Sequence, residues 1–326
     1  MRPLVAALAA LALFAPNAVA GTVPVDPGAA ALDTQMQAAV AAAAPSVVQV
    51  RVADGLGSGV VLDDHGNVVT NAHVVSSFDT AKVVLNDGTR HNATVTGSFP
   101  AVDLAVVHIT DATPPPAGFA DSSQLRLGQV VLALGSPLGL RGSVTQGIVS
   151  ALNRTEQESS SVMLGGLIQT SAPIFPGNSG GALVDLRGAV IGLPTLGADD
   201  TGIGFAIPSN TVVAIGRQLA ADGRVTHSGL AWIGMLAAPV RGGGLRVLKV
   251  IAGSPAARAG ITVHSKLLAV DGRRVATASG VKRLLLSRHP GETLTLTIQP
   301  RGGARRDVPL VLGELAVNDQ RVQRTQ

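Results

Sequence analysis

The sequence predicts a mainly β protein, in which two consecutive all-β units are followed by a smaller α+β domain. Three observations lead there. Short β-branched runs separated by turn residues recur from Ser46 to Ile207, a single helical stretch closes that region, and from about residue 226 strand and helix patterns mix.

In the first unit the strand-like runs are Ser46 to Val52, Gly59 to Leu62, Val68 to Thr70, Lys82 to Leu85 and Leu104 to Ile109, with Asn86-Asp87-Gly88 reading as a hairpin turn. The unit ends near Pro114-Pro115-Pro116. The second unit runs through Gln129 to Leu134, Ser143 to Leu152, Leu167 to Thr170, Ala182 to Asp185, Ala189 to Leu193 and Gly204 to Ile207. Ser209 reads as the cap of a helix over Thr211 to Ala221, which Gly223 ends. Beyond it, strands are expected at Leu245 to Ile251 and Lys266 to Val270, a turn at Asp271-Gly272, a helix around Val281 to Arg288 and a hairpin through Thr293 to Val311. Residues 21–45 read as a flexible lead and one short helix capped by Asp33, and the polar end after Glu314 as disordered. The expected organisation is therefore 1–20, 21–45, 46–225, 226–314 and 315–326.

The N-terminus reads as an export signal. Arg2 precedes an apolar run from Leu4 to Ala15, and Ala18-Val19-Ala20 is a small-x-small cleavage site. Pro16-Asn17 interrupt the run before the roughly 20 residues a membrane span needs. A periplasmic or other extracytoplasmic location is the expectation. The 326 residues include no cysteine, which excludes disulfides, thiolate metal sites and a cysteine nucleophile. A net charge of +4 with 2% aromatic residues and no tyrosine argues against a nucleic-acid surface, which would interleave cations with stacking rings. No metal or cofactor is implied.

Gly177-Asn178-Ser179-Gly180-Gly181 places one hydroxyl among glycines that let the backbone turn tightly and gather N–H groups at one point. By itself this motif also fits a plain turn between strands. A serine hydroxyl attacks only when a base takes its proton, so a histidine and an orienting carboxylate are needed. Of the seven histidines, His65, His91, His227, His264 and His289 lie in polar, turn-like contexts, and His108 sits in an apolar strand as a satisfied core residue would. His73, after the strand-like Val68-Val69-Thr70 and small Ala72, is the candidate base, and Asp103, at the start of Leu104-Ala105-Val106-Val107, the candidate carboxylate. Spacing alone leaves Asp103 open between a turn residue and a catalytic one. Chain order separates two hydrolase architectures: a nucleophile elbow has its acid and histidine downstream of the serine, whereas here histidine, aspartate and serine follow one another across two all-β units. That order expects a crevice between two barrels.

Gly57-Ser58-Gly59, Thr70-Asn71-Ala72-His73-Val74-Val75, Asp103-Leu104-Ala105-Val106, Gly135-Ser136-Pro137, Pro176 to Gly181 and Gly202 to Pro208 resemble, in order, successive motifs of the HtrA (Deg) proteases. Residues 227–315 resemble the PDZ domain that follows the protease in that family, through Leu230-Ala231-Trp232-Ile233-Gly234-Met235 and Gly253 to Gly260. The resemblance implies a chymotrypsin-like double β-barrel followed by a PDZ domain, and an ATP-independent serine endopeptidase acting on misfolded or exposed polypeptides. It implies His73, Asp103 and Ser179 as the triad, the N–H groups of Gly177, Asn178 and Ser179 as the oxyanion hole, and Leu193, Thr195, Ile203 and Phe205 as the specificity pocket. It further implies Arg154 as a regulatory sensor, Ala231, Trp232, Ile233 and Gly234 as the loop receiving peptide C-termini, and a homotrimer. Three departures stand out. Ser171-Ala172-Pro173-Ile174-Phe175 replaces the family's Asp-Ala-Ala-Ile-Asn, residues 21–45 lack the aromatics that pin family trimers, and His264-Ser265 replaces a Gly-Asp pair. The first of these motivates an alternative, a peptide-binding or chaperone-like protein with a weakly active or regulated peptidase domain.

Overall fold

The computed structural model describes residues 26–53, 55–76, 78–135, 143–158, 162–198 and 202–315. The expected signal segment and most of the expected disordered tail lie outside them. Helix α1 (Pro27–Ala43) is capped by Asp26, whose carboxylate accepts from the Gly28 and Ala29 N–H groups, rather than by Asp33. It lays Ala39 and Ala43 on the body, and Gln35 donates to the Leu186 carbonyl at 2.6 Å.

Six strands close the first barrel: β1 (Val47–Val52), β2 (Gly55–Val61), β3 (Asn67–Thr70), β4 (Thr80–Val84), β5 (Arg90–Phe99) and β6 (Leu104–Ile109), in the order β1-β2-β3-β6-β5-β4. Val50, Val61, Val68, Val83 and Val107 fill its interior. The one-turn helix α2 (Ala72–Val75) leaves the end of β3. The second barrel has the order β10-β11-β12-β9-β8-β7, from β7 (Val130–Gly135), β8 (Ser143–Gln157), β9 (Met163–Thr170), β10 (Ala182–Val184), β11 (Val190–Ala198) and β12 (Ile203–Pro208). Closure removes sheet edges, which is how an all-β body of this size avoids unpaired backbone. Helix α3 (Ser209–Asp222) buries Val212, Ile215 and Leu219 against the core that spans both barrels, and ends at left-handed Gly223. Ser209 does not cap it: the Ser209 hydroxyl donates to the Ala120 carbonyl and Pro208 holds the cap position.

The last domain has a six-stranded sheet, a separate two-stranded sheet and two helices. β13 (Ala231–Trp232) pairs with β20 (Gly313–Glu314), while β14 (Met235–Pro239), β15 (Leu245–Val250), β16 (Lys266–Val270), β18 (Thr293–Gln299) and β19 (Arg306–Val311) run in that order, with β17 (Arg273–Arg274) hooked to β16. Helix α4 (Pro255–Arg258) is capped by Ser254 and α5 (Ala278–Leu285) by Thr277. Its core, around Val247, Leu267, Leu294 and Leu296, is separate from that of the barrels. Domain and barrels touch where Leu286 packs on Gly165 of β9.

Candidate active site

Asp103 is the pivot of the inter-barrel crevice. It ends a short 3-10 turn, Pro100–Val102, in the left-handed region at φ 55°, a conformation an aspartate tolerates better than most residues. That kink lets the Asp103 carbonyl accept from Asn71 Nδ2 at 3.0 Å and from the Ala72 N–H at 3.1 Å. The carboxylate meanwhile receives the His73 N–H at 3.0 Å and His73 Nδ1 at 2.9 Å. From the other barrel Thr195 Oγ1 donates to Asp103 Oδ2 at 2.5 Å. The carboxylate is almost wholly buried and surrounded by donors. With Nδ1 held on the acid, Nε2 is the ring nitrogen left to receive a proton.

Burial is the largest single influence on His73 and lowers its pKa, yet the hydrogen bond and charge of Asp103, joined by the charge of Glu158, outweigh it. The net effect is a pKa raised above 6.5.

Ser179 is brought to the crevice by contacts across the barrels. The Ser58 N–H donates to the Ser179 carbonyl at 2.8 Å, Ser58 Oγ to the Gly177 carbonyl at 2.6 Å, and Thr70 Oγ1 to the Ser58 carbonyl at 2.7 Å. Gly177 and Gly180 adopt φ 98° and 82°, and a Cβ on Gly180 would overlap the Ser58 carbonyl, so the loop requires its glycines. The Ser179 hydroxyl donates to the Thr195 carbonyl at 3.4 Å and makes no hydrogen bond with His73 among the described residues. A turn about one side-chain bond changes that partner.

The three expected oxyanion donors do not behave alike. The Asn178 N–H donates to the Phe175 carbonyl at 2.9 Å, which removes it from the set, whereas the N–H groups of Gly177 and Ser179 have no acceptor among the described residues. Both polar atoms of the buried Asn178 side chain are also without a partner there. The segment 171–175 is pinned to β8: Thr145 Oγ1 donates to the Pro173 carbonyl at 2.8 Å, the Ile148 N–H to Ser171 Oγ at 3.0 Å, and the Ser171 N–H returns to the Ile148 carbonyl at 3.2 Å. Pro173 therefore sits in a braced loop.

The expected pocket residues divide as well. Leu193 is fully buried in the core, Phe205 nearly so, and the Thr195 hydroxyl serves Asp103 rather than facing a pocket. Ile203 is half-buried. Ile174, which the residue pattern alone did not single out, packs its side chain on Gly204 and its carbonyl on Gly197. No signal in the sequence links Ile174 to these two distant glycines. Arg154, expected as a regulatory residue, donates from Nε to Gln169 Oε1 at 2.9 Å on neighbouring β9. His108 is half-buried against Asn67 at 3.2 Å, and His91 lies in strand β5 rather than in a turn, bonding Asp111 at 3.0 Å and Thr89 at 3.1 Å.

In the last domain the edge strand β14 and helix α5 bound a cavity of about 650 Å³, lined by Trp232, Ile233, Met235, Val281 and Leu285 and roofed by Ala101 of the first barrel. The N–H groups of Ile233 and Gly234 open onto this end without an acceptor among the described residues, and Gly234, at φ 82°, closely faces Ser254. Two adjacent free N–H groups beside an open strand edge suit a carboxylate and an added strand.

Residues 57–193 match the trypsin-like peptidase domain and residues 214–312 the PDZ domain. The serine protease PepD of Mycobacterium tuberculosis is 36% identical over 83% of this chain and 64% of its own length. A probable periplasmic serine endoprotease DegP-like of Halomonas elongata is 36% identical over 79% of this chain and 56% of its own. The chain thus spans less than two thirds of either relative. Among solved structures, the serine endoprotease from Yersinia pestis aligns with a TM-score of 0.61 at 33% identity, covering 90% of this chain and all of that one. The HtrA-type protease AlgW with a tripeptide aligns at 0.62 and 30% identity, covering 87% and 99%.

Proposed function

Because this chain belongs to the HtrA family of serine proteases, with a trypsin-like peptidase domain and one PDZ domain, we propose that it is an ATP-independent serine endopeptidase of an extracytoplasmic compartment. Its substrates on this reading are misfolded or exposed polypeptides. One observation carries the proposal: the hydrogen-bonded run Thr195–Asp103–His73 beside a Ser179 loop that the opposite barrel holds in place.

In the proposed mechanism Ser179 Oγ leaves the Thr195 carbonyl for His73 Nε2, which takes its proton as Oγ attacks the scissile carbonyl. Asp103 stabilises the imidazolium that forms. The Gly177 and Ser179 N–H groups receive the oxyanion, His73 returns the proton to the leaving amine, and water releases the acyl group by the same route. Ile174 and Ile203 favour a small or medium apolar side chain before the cut. The PDZ groove takes a peptide C-terminus, its carboxylate on the Ile233 and Gly234 N–H groups. The relatives named periplasmic support the compartment. Assembly into a homo-oligomer belongs to the same family-based reading.

Ser179→Ala is expected to abolish casein hydrolysis and leave the thermal transition in place; undiminished hydrolysis would remove Ser179 from the role. The bond from Ser179 to the Thr195 carbonyl also favours a second reading, a peptidase held at rest or a peptide-binding protein with little turnover. A fluorophosphonate separates the two. Rapid labelling of the protein alone means a competent site, labelling only after a peptide is added means a regulated one, and none in either case means a binding protein.

A further inference from the structure

The two halves of the chain carry opposite charge. Residues 46–225 hold 9 Lys/Arg against 14 Asp/Glu, whereas residues 226–315 hold 13 against 4. The four acids of the PDZ domain are engaged elsewhere: Asp271 and Glu292 with Arg288, Asp307 with Thr297, and Glu314 with the Gly229 N–H. On the outer face of β15 and β16, Arg246 and Lys266 are direct cross-strand partners, a like-charge pairing that a sheet ordinarily avoids. Neither they nor Lys249 form an ion pair among the described residues.

An apolar centre lies within this basic face. The register of β14 on β15 pairs Ala237 with Val247 and Leu236 with Lys249, skipping Leu248 as a bulge, so that Leu248 and Lys249 both turn outward. Leu248 is 53% exposed. Val263, 42% exposed, comes beside it because the next residue, His264, donates its N–H to the Val247 carbonyl while the Val247 N–H donates to the Ser265 carbonyl. His264 is held at φ 70°, the left-handed conformation that suits glycine. A non-glycine residue in that region costs free energy and is found where the surrounding structure fixes it.

Unpaired cations around two protruding aliphatic side chains are complementary to one kind of surface, a layer of anionic headgroups over acyl chains. A polynucleotide would leave Leu248 and Val263 without a partner, and beside them the exposed His264 imidazole is a single ring, with no Trp, Tyr or Phe in 245–250 or 262–270 on which successive bases could stack. We propose that this face docks the protein peripherally on an anionic phospholipid surface, with Arg246, Lys249 and Lys266 at the phosphates and Leu248 and Val263 entering the interface. The inference does not depend on proteolysis.

Flotation of the whole protein with phosphatidylcholine vesicles, with and without phosphatidylglycerol, tests it. Binding is expected only with the anionic lipid and should fall as salt is raised. Changing Arg246, Lys249 and Lys266 together to Gln should weaken partitioning about a hundredfold, roughly fivefold for each cation, and Leu248→Ser severalfold. Thermal transitions and hydrolysis of soluble casein monitor folding of both variants. Equal binding to neutral vesicles, or undiminished binding by the triple variant, would overturn the proposal. So would loss with the triple variant but none with Leu248→Ser, accompanied by equal affinity for an oligonucleotide, since that pattern describes a polyanion site.

Discussion

Thr195 reaches across the crevice from the second barrel and donates its hydroxyl to Asp103 of the first. One hydrogen bond thus joins the strand that carries the serine's present acceptor to the acid that orients the histidine, so the relative placement of the two barrels is read at His73. Thr195→Val keeps the shape and removes the donor from a buried carboxylate. The expected cost is about 1–3 kcal/mol of stability and a fall in kcat larger than any change in KM, since the hydroxyl is buried against Asp103. Thr195→Ser should restore both, and steady-state kinetics beside thermal melts measure it.

On the proposed mechanism the raised pKa of His73 sets the acid limb of the pH profile. A general base at this position must be neutral, so kcat/KM should rise with pH at a midpoint above 6.5. Asp103→Asn removes the principal raising influence and leaves burial to act, which should move the limb to lower pH while slowing turnover by about 10⁴-fold. Glu158→Gln should move it the same way by less and leave the rate largely intact. For stability the sign is the reverse of the usual carboxylate case: the charged pair contributes below the unfolded imidazole pKa, and the contribution disappears as pH rises through the raised folded value.

What the sequence revealed and concealed follows from burial. Strands lined by β-branched residues on the barrel interior, such as Val68-Val69-Thr70 and Leu104 to Ile109, are legible because the core demands them. β5 is not: over Arg90–Phe99 only Ala93, Gly97 and Phe99 are buried, so no apolar alternation marks it. The outer part of β8, Asn153 to Gln157, is a polar arm beyond the barrel and equally silent. At the site, chain order brought His73, Asp103 and Ser179 together as candidates, but order does not say where a hydroxyl points. The resemblance implies Thr195 as a pocket wall and Asn178 as an N–H donor, whereas the Thr195 hydroxyl bonds Asp103 and the Asn178 N–H closes a turn on Phe175. Ile174 needed the third dimension, because Gly197 and Gly204 lie more than 20 residues from it in the chain.

His264 is the clearest place where a substitution should stabilise. Its φ of 70° strains any residue with a Cβ, and the resemblance places glycine there. His264→Gly is expected to raise the stability of the PDZ domain by about 1 kcal/mol, seen as a higher thermal midpoint. No gain would mean that contacts of the ring offset the strain.

Gly147 tests whether the bracing of 171–175 by β8 keeps the oxyanion donors in place. A Cβ there would lie 2.6 Å from Ala172 Cα and would overlap the Ala172 N–H, and neither backbone atom can move alone. Gly147→Ala must push the segment off β8, breaking the Thr145–Pro173 and Ser171–Ile148 bonds while leaving the barrel interior intact. Overpacking at such a contact costs about 1–3 kcal/mol, and displacing an oxyanion donor about 10²–10³ in kcat. Fluorophosphonate labelling of Ser179 should slow in parallel, since it too forms charge at the oxygen that Gly177 and Ser179 would receive. Gln146→Ala, on the exposed face one residue away, should change neither rate. If Gly147→Ala labels as fast as the parent, segment 171–175 does not position the oxyanion hole, and the pinning to β8 serves stability alone.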